Sequence, residues 1–408
     1  MSGPLRFIDL FAGVGGLTEG FRAARAVDGQ PLFEPLLLVD MNAAAKETQL
    51  RNHPGTKYLT ADLGNLSASD MREAGGLMTS DTLDVLIGGP PCQGFSKLNR
   101  HVRRALDDPR NAMFSHFLTL VREMQPRFVL IENVPNLLDF DCGRYRDEAF
   151  SLLMDAGYSP DARVLAANEF GLPQLRKRAF IIGVRNDLLT CSWDFPKGRF
   201  PPLLTAREVN AAVHGDEEAF FSPPFVSVEE AIGDLPALES GNEAIGYTTP
   251  PFSDYQAARR RGCRALSNHL ARTHKTAFIE KKLRKIHEGG SNQDLDGRSR
   301  FDRGREIKYL SQAYGRLHRH GIAQTITAHF ANPGSGRFLH YRDQRSITVR
   351  EAARFQGFDD SFVFFGRQDE QQRQVGNAVP PVVARVLAEH FGRKIVSQRT
   401  PVTALGVP

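Results

Sequence analysis

Apolar strand-like runs alternate with helix-like stretches from Arg6 to Val184, and this alternation constrains the fold more than any other feature of the chain. Arg6 to Phe11 is a short apolar run that breaks into Ala12-Gly13-Val14-Gly15-Gly16, after which Leu17, Gly20, Phe21 and Ala24 recur at helical spacing. Leu36-Leu37-Leu38-Val39 forms a second apolar run ending in Asp40, followed by good helix formers from Asn42 to Leu50. Strand, glycine turn, helix and strand make a βαβ unit. Further strands are predicted at Val85 to Gly88, Phe128 to Glu132 and Ala179 to Val184, with helices at Ala112 to Met124 and Asp147 to Ala156. The pattern predicts an α/β fold with a doubly wound, mostly parallel sheet. The strands are apolar throughout rather than alternating, which fits a sheet covered on both faces.

The regular pattern fades near Phe195-Pro196, and to about Tyr341 the chain is irregular and rich in Gly, Pro, Asn and His. A helix is predicted there from Lys275 to Glu288, stopped by Gly289-Gly290. Helical patterning returns from Val349 to Phe355 and from Pro381 to Phe391. Single cores stop growing near ~250 to 300 residues, so a chain of 408 divides into two domains. The expected division is 1–188 with 372–395 as one domain, 189–371 as a smaller irregular one, and 396–408 as a flexible tail. The charge is uneven. Asp254 to Arg319 holds 17 Lys and Arg against 7 Asp and Glu, whereas the whole chain is only +5. A basic segment on a mildly acidic body suits a polyanion-binding module attached to an enzyme core.

No apolar run approaches the ~18 residues needed to cross a bilayer, and no basic-then-apolar leader follows Met1. Cys92, Cys142, Cys191 and Cys263 are dispersed, with no Cys-x-x-Cys pair to suggest a zinc site or a redox dithiol. These features predict a soluble protein of the cytoplasm with reduced, independent thiols and no bound metal.

One of those thiols stands apart. In Gly89-Pro90-Pro91-Cys92-Gln93-Gly94-Phe95-Ser96, the prolines end a buried strand and present Cys92 from a stiff turn. A cysteine held so is a candidate nucleophile. The glycine turn lets the backbone approach a nucleotide-like ligand, although such a cluster can also serve packing alone. Asp40 ends the second strand, where a carboxylate can hold ribose hydroxyls. Position 18 is Thr rather than the third Gly of the dinucleotide fingerprint, which disfavours a nicotinamide cofactor and an oxidoreductase.

Phe7-Ile8-Asp9-Leu10-Phe11-Ala12-Gly13-Val14-Gly15-Gly16 together with Pro90-Pro91-Cys92-Gln93-Gly94-Phe95-Ser96 resembles the DNA cytosine-5 methyltransferase family. Further blocks follow in the family's order: Asp107 to Asn111, Glu132-Asn133-Val134, Phe170 to Arg178, Arg350 to Phe358, and Gln374 to Pro381. The resemblance covers nearly the whole chain except about 190 to 310. It implies a Rossmann-like methyltransferase core that uses S-adenosylmethionine, with Cys92 adding to carbon 6 of cytosine. It further implies that Glu132 serves ring nitrogen 3, Arg178 holds the ring oxygen, and Arg176 supports the nucleophile pocket. Alternation along an extended segment would point both arginines to one face. For the cofactor it implicates Asp9, Phe11, Gly13, Gly15, Gly16, Asp40, Asp62, Pro90 and Asn377. Met41 stands where relatives carry an aromatic residue, and its thioether can still pack on adenine. Asn377 at the cofactor would bring the last helix beside the first strand.

A stacked base cannot reach Cys92, so the resemblance also implies that cytosine is rotated out of double-stranded DNA. Gln93, Ser96, Lys97, Arg100, Arg103 and Arg104 follow the nucleophile and are the expected DNA contacts, with His101 among them. The resemblance is to the bacterial restriction-modification type, in which a cognate restriction endonuclease can act on the same site, though the sequence does not say whether one exists. A single catalytic core with its own recognition domain needs no second subunit, so a monomer is expected. RNA as the methylated polymer and a non-catalytic DNA-binding relative are the competing readings. Intact Cys92, Glu132, Arg176 and Arg178 oppose the second.

Overall fold

The computed structural model describes residues 3–91, 112–203, 205–216, 218, 223–296, 301–302, 305–306 and 313–399. The described residues within 1–165, 177–197 and 379–408 form one compact unit, and those within 166–176 and 198–378 form a second.

The first unit is built on a seven-stranded sheet. Its strands are β1 (Leu5–Leu10), β2 (Phe33–Asp40), β3 (Tyr58–Thr60), β4 (Val85–Gly88), β5 (Phe128–Asn133), β6 (Tyr158–Ala166) and, after the short β7 (Gln174–Leu175), β8 (Lys177–Arg185). Their spatial order is β3-β2-β1-β4-β5-β8-β6. From β3 to β5 neighbouring strands are parallel, and β8 runs antiparallel to β5. The strand order reverses between β1 and β4, so their carboxyl ends open onto the crevice where ligands of such sheets bind. The glycine turn follows β1, and the Pro90-Pro91 turn follows β4. Both chemistry-bearing turns therefore leave the sheet side by side.

Leu5, Phe7, Ile8 and Leu10 of β1 and all of β4 are buried, as expected of a sheet covered on both faces. Phe7, Phe21 and Phe33 pack as an aromatic group under the helix Gly16–Ala23. The expected boundary after 188 falls instead after Lys197. The reason is aromatic: Trp193 stacks with Phe128 of β5 and with Phe391, and Phe195 meets Phe391 edge-on. The helix carrying Phe391 runs Pro381–Arg399, so 396–399 continue a helix rather than beginning a tail. On the C-terminal side the first unit resumes at Val379, not at 372, and 166–176 belong to the second unit.

The second unit has little sheet, and its interior is held by buried guanidinium groups. Arg345, Arg350 and Arg354 are its largest fully buried side chains. Arg345 grips Glu351 with two hydrogen bonds of 2.8 Å. Arg354 bonds both oxygens of Asp360, at 3.0 and 2.7 Å, and also bonds Asp234. Irregular backbone leaves carbonyls without ladder partners, and forked arginine donors satisfy them. Arg316, for example, donates to Leu283 O at 2.7 Å and to Ile286 O at 2.8 Å. The expected helix over Lys275 to Glu288 is not continuous. The observed helix is Thr276–Lys281, the chain breaks at Lys282 (φ −124°, ψ −64°), and a single 3-10 turn follows at Leu283–Lys285. The Arg316 bonds to Leu283 O and Ile286 O both lie beyond that break. Among the described residues no helix is long and apolar enough to cross a membrane.

Candidate active site

At the end of β5, Glu132 lies opposite Phe180 of antiparallel β8. Arg178 is two residues from Phe180 and therefore on the same face, diagonal to Glu132, within reach of a long side chain. Arg178 Nε lies 2.9 Å from Glu132 Oε1, and the two side chains are 19% and 13% exposed. Glu132 Oε2 lies against the turn after β4, because a Cβ added at Gly89 would be 3.1 Å from it. The carboxylate thus sits between the guanidinium and the turn that leads to Cys92. Cys92 itself, with Gln93, Ser96, Lys97, Arg100, His101, Arg103 and Arg104, lies outside the described residues.

The neighbouring Asn133 was not singled out by its sequence, although it stands in the Glu132-Asn133-Val134 block. Its buried side chain donates from Nδ2 to Pro90 O at 3.1 Å and accepts from Val134 N at 2.9 Å. One amide thereby ties the end of β5 to a turn two residues before Cys92 in sequence.

Arg176 does not share the setting of Arg178. It precedes β8, is only 2% exposed, and donates to Ile326 O at 3.0 Å and Gly376 O at 3.2 Å. The expected alternation fails because the strand ends between them, with Arg176 in the second unit and Arg178 in the first. Asn377 also belongs to the second unit, as the exposed last residue of the helix Gln368–Asn377.

Around the glycine turn, Asp40 holds the backbone: Gly13 N donates to Oδ2 at 2.9 Å and Asn42 N to Oδ1 at 2.8 Å. Of the three glycines, Gly13 alone has space beside it, since a Cβ there would meet nothing nearer than Asp40 Oδ2 at 4.0 Å. Gly15 (φ +81°) faces the Gln49 amide, and a Cβ on Gly16 would be 2.1 Å from Val379 O. Those two glycines serve close packing, and the second admits the segment leading into the helix Pro381–Arg399. Phe11, ahead of the turn, holds a left-handed φ of 59° and is half-buried. Met41 is 74% exposed. Asp62 is exposed and accepts from Gly64 N at 3.0 Å. Asp9 is buried under the turn and accepts from the Thr18 hydroxyl at 2.6 Å. Burial drives its carboxyl up to about 7, with the charge of Asp40 adding to the rise and the Thr18 bonds opposing it.

A model of C-5 cytosine-specific DNA methylases matches residues 5–393. The chain belongs to the C-5 cytosine-specific DNA methylase family. The methylase is 32% identical over 388 residues to the type II methyltransferase M1.HphI of Haemophilus parahaemolyticus, spanning 94% of this chain and 86% of that protein. It is 31% identical over 440 residues to M.AgeI of Thalassovita gelatinovora, spanning 94% and 98%. A solved E. coli structure, assigned as a prophage-encoded DNA modification methyltransferase, superposes with a TM-score of 0.69 at 26% identity, covering 95% of the methylase and 98% of that chain. The methylase is accordingly an enzyme of the cytosine-5 DNA methyltransferase class, with a Rossmann-like core.

Proposed function

We propose that this methylase transfers a methyl group from S-adenosylmethionine to carbon 5 of a cytosine turned out of a specific site in double-stranded DNA. The observation that carries the residue assignment is the Glu132–Arg178 pair, held against the turn that leads to Cys92. The Cys92 thiolate adds to carbon 6, forming a carbon–sulfur bond and making carbon 5 nucleophilic. Electron density moves toward ring nitrogen 3, where Glu132 shares or donates a proton, while Arg178 binds the ring oxygen. S-adenosylmethionine, when bound, supplies the electrophilic methyl group. Loss of the carbon-5 proton to a base then breaks the carbon–sulfur bond and returns the Cys92 thiolate. Arg176, fixed on the carbonyls of Ile326 and Gly376, acts as a positioning residue.

The residues around the glycine turn fit that cofactor. Gly13 leaves room for a ligand beside the backbone, Asp40 stands at the ribose, and half-buried Phe11 and exposed Met41 offer apolar faces to adenine. Asp9, Asp62, Pro90 and Asn377 complete the proposed set, while Gly15 and Gly16 shape the turn. Gln93, Ser96, Lys97, Arg100, Arg103 and Arg104 contact DNA, and the second unit reads the target sequence. The names of the type II methyltransferase relatives support a restriction-modification role; a partner endonuclease on the same site, a cytoplasmic location and a monomeric state belong to the same proposal.

Purified protein is expected to transfer labelled methyl groups to duplex DNA, and Cys92→Ser to transfer none. Duplex containing 5-fluorocytosine at the target, which has no carbon-5 proton to lose, is expected to trap the protein covalently. Labelling of RNA but not of mixed-sequence DNA would overturn the assignment of the polymer.

A further inference from the structure

The glycine turn is held on its carbonyl side as well as on its amide side, by two residues that the mechanism does not use. Tyr58, the first residue of β3, donates its hydroxyl to Gly13 O at 2.9 Å. Gln49, fully buried in the helix Ala43–Asn52, donates Nε2 to Val14 O at 2.6 Å. The same Nε2 lies 3.3 Å from Glu19 Oε1, which His53 Nε2 also meets at 2.8 Å. Val14 O and Glu19 Oε1 are both acceptors, so the Gln49 amide has one orientation that satisfies them. Burial, together with Asp40 and Asp9 nearby, keeps the Tyr58 hydroxyl protonated far above its ordinary range and therefore a permanent donor.

We propose that Tyr58 and Gln49 are positioning residues that lock the Gly13–Val14 peptides in the shape that receives the cofactor. Three elements converge on two residues: Asp40 from the end of β2 on Gly13 N, Tyr58 from β3 on Gly13 O, and Gln49 from the intervening helix on Val14 O. A glycine-rich turn has wide conformational freedom and would otherwise lose it on each binding event. The side chains remove that freedom beforehand, so their contribution falls on cofactor affinity. This inference rests on the S-adenosylmethionine reading of the turn.

Tyr58→Phe removes one oxygen and Gln49→Met keeps the length of the side chain while removing its amide. Calorimetric titration of the full chain with S-adenosylhomocysteine is expected to give a Kd raised about 5- to 10-fold in each variant, the size of one lost hydrogen bond. In the double variant the effects are not additive, because both side chains restrain the same turn. In methyl transfer, the KM for S-adenosylmethionine rises by a larger factor than kcat falls. Unchanged Kd in both variants, with only a lowered melting temperature, would reduce the pair to a structural role and overturn the proposal. If Tyr58→Phe does not fold, Gln49→Met decides alone. Failure of the unaltered protein to bind S-adenosylhomocysteine is a different outcome: it removes the cofactor reading, and the proposal falls with it.

Discussion

Glu132 and Arg178 meet diagonally across the antiparallel β5–β8 ladder, with Arg178 Nε 2.9 Å from Glu132 Oε1. The reversal of β8 creates this relationship. A parallel strand in its place would not bring a residue of the Phe170 to Arg178 block alongside the end of β5 in this register. Neither partner is deeply buried, so the pair can open and offer both groups to a base.

Glu132→Gln keeps the size of the side chain but cannot give up a proton as a carboxylic acid does. Methyl transfer is expected to fall roughly 100- to 10,000-fold in kcat, as for loss of a general acid. The melting temperature should change little, because a partly exposed ion pair contributes about 0–1 kcal/mol. Single-turnover kinetics with saturating DNA would separate this loss from weaker binding.

Asn133→Ala releases the Pro90 carbonyl from its buried partner. The expected cost is about 1–3 kcal/mol of stability, read by urea unfolding, and a slower rate of covalent trapping on 5-fluorocytosine duplex. Normal trapping in a destabilised variant would limit Asn133 to a structural part.

Asp9 predicts a pH dependence with a definite sign. Its folded-state value of about 7 lies above the ordinary 3.8, so the folded protein holds a proton that the unfolded chain has released between those values. Its contribution is fully present below pH 3.8 and is lost as pH rises toward 7. Within that window the slope from this group is about 1.4 kcal/mol per pH unit. Asp9→Asn mimics the protonated carboxyl and is expected to gain thermal stability over the parent at pH 8 but not at pH 4. Parallel melting curves across that range would discard the assignment.

Arg354→Met tests the interior of the second unit. Asp360, only 1% exposed, would lose its two Arg354 bonds and keep the Tyr247 hydroxyl at 2.7 Å and Arg350 at 3.8 Å, while Asp234 would keep Arg260 at 3.0 Å. Breaking such a buried network is expected to cost about 3–5 kcal/mol, measurable by denaturant unfolding. A loss below about 1 kcal/mol, typical of exposed pairs, would show that the aspartates find other partners.

The alternating apolar runs determined the sheet, because strands covered on both faces have a composition that few other arrangements tolerate; β4 matches its predicted bounds, and the helix Ala112–Met124 ends at its predicted residue. The seven ordered blocks determined the family, and single residues such as Cys92, Glu132 and Arg178 were named before any coordinate. Tertiary structure decided what depends on partners distant in sequence. Glu132 and Arg178 were recognisable separately, but their pairing follows from strand order and register. Arg176 shares a motif with Arg178 and yet bonds carbonyls some 150 and 200 residues away. The predicted helix at Lys275 breaks at Lys282, beyond which distant Arg316 bonds the Leu283 and Ile286 carbonyls, and Trp193 joins the first unit because Phe128 and Phe391 receive it. Local propensity and periodicity are written along the chain, whereas a buried donor chooses its acceptor only after the backbone has brought them together.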